Sequence, residues 1–310
     1  MQAQSLPEPL VRPLESNAEL IELISATSGE PEKVVMERLL AEDRCIGANV
    51  RRDLEAMGVK PHVFTADMER FYETTKSFLY ETSPRNRAPE KLRVREWTGE
   101  FLARRSPNKP LRILSFGDGL GFDSAYLSAT GHHVTYFEVS RECISFANQV
   151  FAENDQDITV VSCIDQIEVG GFDAVLCLDV LEHVPSPHDT VAQIATWLKP
   201  GGWLITHSPF FFTSYHRVTH LKSNRRFSGS LELFSRHGLH PVDGRYFRNP
   251  IVLEKESTTP HEAHTFWVTL GRPILLHGRY ANHMHSLIAQ RMSSSDKRWS
   301  RDLMDRIKNQ

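Results

Sequence analysis

The spacing of apolar residues along the chain changes near Lys109. Before that point, apolar side chains recur every three or four residues in five stretches, a period typical of amphipathic helices. These stretches read NAELIELISA, PEKVVMERLLAEDR, IGANVRRDLEAMG, DMERFYETTKSFLYE and PEKLRVREWTGEFLARR. Residues 1–108 are therefore predicted to form an amino-terminal helical annex without strands.

Short, nearly continuous apolar runs follow, and helical patterns over residues 122–130, 141–153 and 188–198 separate them. The runs read LRILSF, HHVTYFEV, ITVVSC, FDAVLCLDV and GGWLITHS. Strands that alternate with helices predict a parallel sheet covered on both faces. After a helix predicted over residues 225–238, HPVDGRYF and TFWVTLGRP are expected to close the sheet edge.

The predicted fold class is therefore α/β, with a doubly wound, Rossmann-like, seven-stranded and mostly parallel sheet behind the annex. We expect the core to occupy residues 109–275 and a polar, helical tail to occupy residues 276–310.

Three closely spaced glycines, Gly117, Gly119 and Gly121, follow the first predicted strand in ILSFGDGLGF. Glycine loses much backbone entropy on folding, so three together indicate that a ligand approaches the backbone. A dinucleotide fingerprint would require glycine where Phe122 stands, and a phosphate-binding loop would end in Gly-Lys-Ser or Gly-Lys-Thr. Neither pattern is present.

An acidic residue, Glu138, ends the second predicted strand, 21 residues after Gly117. In open α/β sheets this position lies at the crevice that binds ligands, opposite the glycine loop. A carboxylate there accepts hydrogen bonds from both hydroxyls of a ribose. A site for a ribose without a site for a pyrophosphate indicates a nucleoside that carries another group in place of the pyrophosphate.

These segments, together with FDAVLCLDVLEHVPSP and LKPGGWLI, resemble class I S-adenosylmethionine-dependent methyltransferases in order and spacing. The resemblance is greatest to the small-molecule branch that contains the ubiquinone-biosynthesis O-methyltransferases. It covers residues 112–209 well and residues 225–272 loosely. It implies S-adenosylmethionine as the cofactor and methyl transfer as the activity.

The resemblance also implies a set of cofactor-binding residues. The glycines would pass under the methionine part and the ribose, and the acid after the second strand would bind the ribose hydroxyls. Val139 and Asp165 would contact the adenine, and Leu178 and Asp179 the methionine part. Ser115 stands where the family has an acid, so Asp118 is expected to supply negative charge near the ligand's amino group. The implied set is Gly117, Asp118, Gly119, Gly121, Glu138, Val139, Asp165, Leu178 and Asp179.

The acceptor side needs a base when the methyl group moves to a hydroxyl or an ammonium, and histidine suits that task. His183, which follows the fourth strand, is the first choice for the base, and a structural or cofactor-side role is an equal alternative for it. His207, His216 and His220 are the further candidates. Phe210–Phe212 and Tyr215 follow the fifth strand and form either an acceptor wall or core packing. Aromatic residues of RFYETTKSFLYE in the annex either close over the site or pack against the sheet.

No metal site is predicted. His216 and His220 are four residues apart, a spacing that can place two imidazoles on one helix face. The HEAH segment that contains His261 and His264 does not match the H-E-x-x-H zinc pattern. The four cysteines have neither metal-type nor redox-type spacing.

Composition narrows the functional classes further. A net charge of -3 gives no basic field for nucleic acid. The amino terminus has no apolar core typical of a signal peptide, and no apolar run is long enough to span a bilayer. We therefore expect a cytoplasmic enzyme without membrane or nucleic-acid partners that acts on a small-molecule acceptor, with a homodimer left open. Two alternatives remain: an acceptor that is a peptide, glycan or carrier-bound substrate, and a catalytically silent scaffold.

Overall fold

The computed structural model describes residues 6–107, 109–245, 250–257 and 297–309. Helices occupy all five stretches of the predicted annex. The stretch DMERFYETTKSFLYE forms two helices, because the backbone is extended at Thr75, whose hydroxyl accepts a hydrogen bond from Ser77 N. The annex helices are α1 (Asn17–Ser28), α2 (Glu32–Arg44), α3 (Ala48–Ala56), α4 (Ala66–Thr74), α5 (Ser77–Asn86) and α6 (Pro89–Arg105).

A seven-stranded sheet follows, with strand order β3-β2-β1-β4-β5-β7-β6. The first five strands pair in parallel, and β7 is antiparallel to both of its neighbours. The predicted doubly wound, mostly parallel fold is confirmed. The strands are β1 (Arg112–Phe116), β2 (His133–Phe137), β3 (Thr159–Val161), β4 (Phe172–Leu178), β5 (Leu198–His207), β6 (Leu239–Gly244) and β7 (Ile251–Lys255); the helices between them are α7 (Phe122–Ala129), α8 (Arg141–Glu153) and α9 (Pro187–Trp197).

The segment after β5 differs from the prediction. The helix predicted over residues 225–238 is wrong, since only a 3-10 helix (Lys222–Phe227) and the short helix α10 (Glu232–Ser235) form there. Gly229 lies between them with a φ of +70°, which interrupts a continuous helix. The predicted strand HPVDGRYF corresponds to β6, whereas β7 was not predicted. The predicted strand TFWVTLGRP lies outside the described residues.

One hydrophobic core joins the annex to the sheet. Ile24 of α1, Leu39 of α2 and Phe101 of α6 are buried in one cluster with Ile113 of β1 and Tyr136 of β2. The annex therefore covers one face of the sheet, and α9 covers the other. The domain boundaries near residues 108 and 275 stay predictions.

A smaller buried cluster connects the annex to the segment that leaves β5. It contains Leu54 of α3, Met68 and Phe71 of α4, and Val218 of that segment. The helix α11 (Lys297–Lys308) lies in the predicted tail and packs on α1 through Asn17, whose side-chain amide donates to Asp302 at 2.8 Å. No helix in the described part of the chain is long and apolar enough to cross a membrane.

Candidate active site

The strand order reverses between β1 and β4, and this reversal opens a crevice at the carboxyl ends of these strands. The glycine loop follows β1 at that place, and all three glycines have positive φ. A Cβ on Gly117 would lie 2.6 Å from Val180 Cγ2, and one on Gly121 would lie 2.7 Å from the ring of Phe151. A Cβ on Gly119 would meet no described atom within 4 Å. Packing thus requires the outer glycines, whereas the middle glycine faces open space.

Glu138, the residue after β2, lies against this loop. Its Oε2 accepts a hydrogen bond from Gly119 N at 3.0 Å, and its Oε1 accepts from Val139 N at 2.7 Å and Ser140 N at 3.0 Å. Burial raises the pKa of Glu138, while these three backbone donors oppose the rise. An ionised carboxylate offers about four acceptor positions, so this one retains capacity for a ligand hydroxyl.

Two further predicted cofactor residues lie beside Glu138 at this edge of the sheet. Val139 is 47 % exposed, which is unusual for valine and leaves its side chain available to a flat ligand. Asp165 is exposed in the short 3-10 helix that follows β3.

Asp118 is turned toward α7. Its Oδ2 accepts hydrogen bonds from Ser124 N at 2.7 Å and Ser124 Oγ at 2.6 Å, so the carboxylate caps the first turn of the helix. Burial and the neighbouring Asp123 raise the pKa of Asp118 to about 7. The expected contact of Asp118 with the ligand's amino group stays a prediction. Ser115 is buried on β1.

At the carboxyl ends of β4 and β5, Asp179 and His207 form a triad with Arg85 of α5. Asp179 directly follows β4 with a φ of +59°, and its N–H donates to His207 O at 2.7 Å. Its Oδ1 lies 2.8 Å from His207 Nδ1, and its Oδ2 lies 2.8 Å from a guanidinium nitrogen of Arg85. Burial opposes ionisation of Asp179, but Arg85 and His207 outweigh it and hold its pKa well below the usual range.

A second group, Glu182, His183 and His220, lies just beyond this triad. The His183 and His220 rings are 4.6 Å apart, and His183 Nε2 is 3.8 Å from Glu182 Oε1. Tyr72 of α4 places its hydroxyl 2.9 Å from His183 Nδ1. Burial lowers the pKa of His183 to about 4, so its imidazole is neutral. Burial and the nearby Asp179 raise the pKa of Glu182.

The third predicted base, His216, is exposed, and its Nδ1 lies 3.3 Å from Ile46 O in the annex. His220 is buried, so His216 and His220 do not share one helix face as the sequence pattern allowed. Phe210 is buried in the core, whereas Tyr215 is exposed and stacks under the Arg51 guanidinium at 3.9 Å. Neither residue supports a continuous aromatic wall.

Arg85 was not predicted as a site residue, and Tyr72 was predicted only as one of the annex aromatics that either close over the site or pack against the sheet. Both come from the annex and meet partners about a hundred positions later in the chain. Tyr72 is part of an aromatic segment that was noted, but no local pattern indicates its histidine partner.

Comparison with known proteins gives one family and two groups of relatives. A family model described as a methyltransferase domain matches residues 85–242, which is half of the chain. The ubiquinone biosynthesis O-methyltransferase of Burkholderia cenocepacia is 36% identical over 110 residues, 34% of this chain and 45% of the relative. That of Burkholderia thailandensis is 33% identical over the same length. The chain thus spans less than half the length of these relatives.

Solved structures show lower similarity. A 1,6-didemethyltoxoflavin-N1-methyltransferase from Burkholderia thailandensis, solved with bound 1,6-didemethyltoxoflavin and S-adenosylhomocysteine, has a TM-score of 0.40 and 18% identity. The similarity covers 53% of this chain and 79% of that chain. A methyltransferase from Methanosarcina mazei has a TM-score of 0.39 and 15% identity, covering 50% of this chain and 97% of that one.

Proposed function

Because the chain belongs to the methyltransferase-domain family, we propose that it transfers a methyl group from S-adenosylmethionine to an oxygen or nitrogen of a small organic acceptor. Family membership confirms the predicted class I S-adenosylmethionine-dependent methyltransferase. Transfer from a sulfonium is an in-line displacement, so the protein mainly aligns the donor and the acceptor. When the acceptor is a hydroxyl or an ammonium, the protein also has to remove a proton.

The observation that supports the cofactor site most directly is the contact between Glu138 and Gly119. The carboxylate and the open side of the glycine loop face the crevice at the point where the strand order reverses. In our proposal Glu138 binds the ribose hydroxyls, and Val139 and Asp165 lie at the adenine. Leu178 and Asp179 line the methionine end of the same crevice.

Replacing Glu138 with glutamine is expected to weaken S-adenosylhomocysteine binding about 30-fold. The amide keeps the size of the side chain, but it loses the charge and turns an NH2 group toward a backbone donor. Hydrogen bonds to charged groups contribute about 1.5–3 kcal/mol, which corresponds to this loss. The dissociation constant is measured by titration calorimetry.

Glu168→Gln is the matched control, since Glu168 is an exposed residue that pairs with Arg112 at the opposite edge of the sheet. Its affinity should equal that of the parent protein. Unchanged affinity in a folded Glu138→Gln variant would contradict the proposed cofactor site.

We infer that His207 is the proton acceptor. Asp179 Oδ1 lies at its Nδ1, so Nδ1 carries the proton and the lone pair of Nε2 is free. Arg85 holds the carboxylate from the other side and thereby fixes the ring. His183, by contrast, is buried with its Nδ1 at the Tyr72 hydroxyl. In our proposal His207, and not the first choice His183, is the base.

His207→Gln is expected to lower kcat for a hydroxyl acceptor about 100-fold or more, the contribution typical of general base catalysis. The affinity for S-adenosylhomocysteine should change little. Methyl transfer from labelled S-adenosylmethionine to a panel of phenols, alcohols and amines gives the rate, and peptide and carrier-bound pools are assayed in parallel.

His133→Gln, an exposed change at the start of β2, serves as the control and should retain the parent rate. Label transfer to the macromolecular pools alone would contradict the small acceptor. An unchanged rate for His207→Gln would remove His207 as the base.

A further inference from the structure

A buried carboxylate next to the crevice has no hydrogen-bond partner among the described residues. Glu182 is 1 % exposed, and neither of its carboxylate oxygens accepts a hydrogen bond from any described residue. Buried carboxylates are normally paired with hydrogen-bond donors or bound to metal ions, because desolvating them otherwise costs several kcal/mol.

The neighbouring cations do not supply that partner. The Arg85 guanidinium binds Asp179 at 2.8 Å, and the Arg217 guanidinium binds Glu81 at 3.3 Å. Each guanidinium is thus matched by a carboxylate of its own. Both guanidiniums therefore act on Glu182 only from a distance, and neither donates a hydrogen bond to its carboxylate.

Two imidazoles converge on this carboxylate. One ligand atom each from Glu182, His183 and His220 lies within 4.8 Å of the other two. His220 is 3 % exposed, and its Nδ1 has no hydrogen-bond partner in the part of the chain that the structure describes. Metal–ligand distances of about 2.0–2.2 Å place tetrahedral ligand atoms about 3.4 Å apart. The 3.8 Å between His183 Nε2 and Glu182 Oε1 is close to that spacing.

The segments that carry these side chains are fixed in place. Leu221 N donates to Glu182 O at 3.0 Å, which joins the turn after β4 to the segment after β5. The side-chain amide of Asn224 donates to Leu181 O, Glu182 O and Val184 O. The three side chains therefore meet in a preorganised arrangement.

Tyr72 lies at the other ring nitrogen of His183, with its hydroxyl 2.9 Å from Nδ1. In the tautomer that leaves the Nε2 lone pair toward Glu182, Nδ1 carries the proton and donates it to the Tyr72 oxygen. Histidines that bind metals usually donate their other N–H in this way, which fixes the tautomer and the ring orientation.

We propose that Glu182, His183 Nε2 and His220 Nδ1 bind one divalent transition-metal ion, with Tyr72 as a positioning residue. Two imidazoles and one carboxylate suit Zn²⁺, Mn²⁺ or Fe²⁺ better than Mg²⁺ or Ca²⁺. Three protein ligands leave a coordination position open. This step rests on the function proposed above. An oxygen of the methyl acceptor would bind at the open position, and the metal ion would favour its deprotonated form. The proposal replaces the prediction that the chain binds no metal.

The test measures metal binding to the full chain without cofactor or acceptor. After chelator treatment and dialysis, Zn²⁺ and Mn²⁺ are titrated by calorimetry, and Co²⁺ is followed by its visible absorption. The parent protein should bind one equivalent, with Zn²⁺ tighter than Mg²⁺. Glu182→Gln and His220→Gln should each weaken binding at least about 100-fold, and Tyr72→Phe about 10-fold.

Glu42→Gln is the matched control, because Glu42 is also buried, and its Oε2 already accepts two hydrogen bonds from Asn49 and its Oε1 one from Gly47 N. It should bind metal like the parent. Circular dichroism identifies variants that do not fold, and either ligand variant alone is sufficient for the test. Absence of stoichiometric binding, or equal binding by both ligand variants and the parent, would overturn the proposal. Methyl transfer without a bound metal would leave the proposed function intact, whereas metal binding without methyl transfer would contradict only that function.

Discussion

Replacing Arg95 with methionine is expected to lower the free energy of unfolding by about 3–5 kcal/mol. Arg95 of α6 is 2 % exposed and donates to Asp123 Oδ1 at 2.8 Å, Asn86 Oδ1 at 2.7 Å and Pro9 O at 2.7 Å. One guanidinium therefore joins the chain before α1, the end of α5 and the first turn of α7. The variant would leave three buried acceptors without that donor.

The largest part of this loss comes from Asp123. Burial alone would raise its pKa, but Lys91 and Arg95 outweigh burial and lower the pKa. A carboxyl group with a lowered folded-state pKa contributes stability above its unfolded pKa, which is about 3.9, and loses it as the pH falls through the folded value. The difference between the parent and Arg95→Met should therefore be full at pH 7 and should narrow below pH ~4.

Urea unfolding followed by tryptophan fluorescence and circular dichroism gives these free energies, provided that the two transitions coincide. Arg104→Met is the control on the same helix, since Arg104 is half exposed and its ion pairs are 3.9 Å long. It should cost less than about 0.5 kcal/mol. Adding Asp123→Asn to Arg95→Met should recover part of the loss. If the double variant loses as much free energy of unfolding as the two single variants together, the uncompensated charge of Asp123 is not the cause.

Local sequence patterns were sufficient to predict the central sheet. Strands β1, β2 and β4 are apolar runs between helices, so their period alone identifies them. The pattern was insufficient near β7, where IVLEK is short and contains two charged residues. The helix predicted over residues 225–238 was wrong because Gly229 adopts a backbone conformation that its apolar neighbours do not indicate.

The candidate site divides in a similar way. The glycine loop and Glu138 are contiguous with the strands that position them, so their placement follows from the topology. The sequence favoured His183 as the base, whereas our proposal assigns that role to His207, because the roles of the histidines depend on contacts with distant residues. His207 is oriented by Asp179, and His183 by Tyr72 of the annex. The lack of a partner for Glu182 is likewise a property of packing, which no spacing reveals.

Alanine at Gly121 is expected to destabilise the fold by about 2–5 kcal/mol, whereas alanine at Gly119 should cost only about 1–2 kcal/mol. Both residues have positive φ, +79° and +66°, so both variants carry backbone strain of about 1–2 kcal/mol. Only the Cβ on Gly121 meets close neighbours, the Phe151 ring at 2.7 Å and Ala147 Cβ at 2.8 Å. Overpacking adds about 1–3 kcal/mol there.

Binding should show the opposite order. The Cβ on Gly119 enters the open space beside Glu138, where we place the ribose, so Gly119→Ala should weaken S-adenosylhomocysteine binding at least about 10-fold. Gly131→Ala is the control that separates backbone strain from obstruction of the cofactor. Gly131 also has positive φ, and a Cβ added to it would meet no described atom within 4 Å, but it lies in the turn after α7. It should match Gly119→Ala in stability and the parent protein in affinity. Equal affinities for the Gly119→Ala and Gly131→Ala variants would mean that the cofactor does not pass over Gly119. The open space beside that glycine would then have another cause.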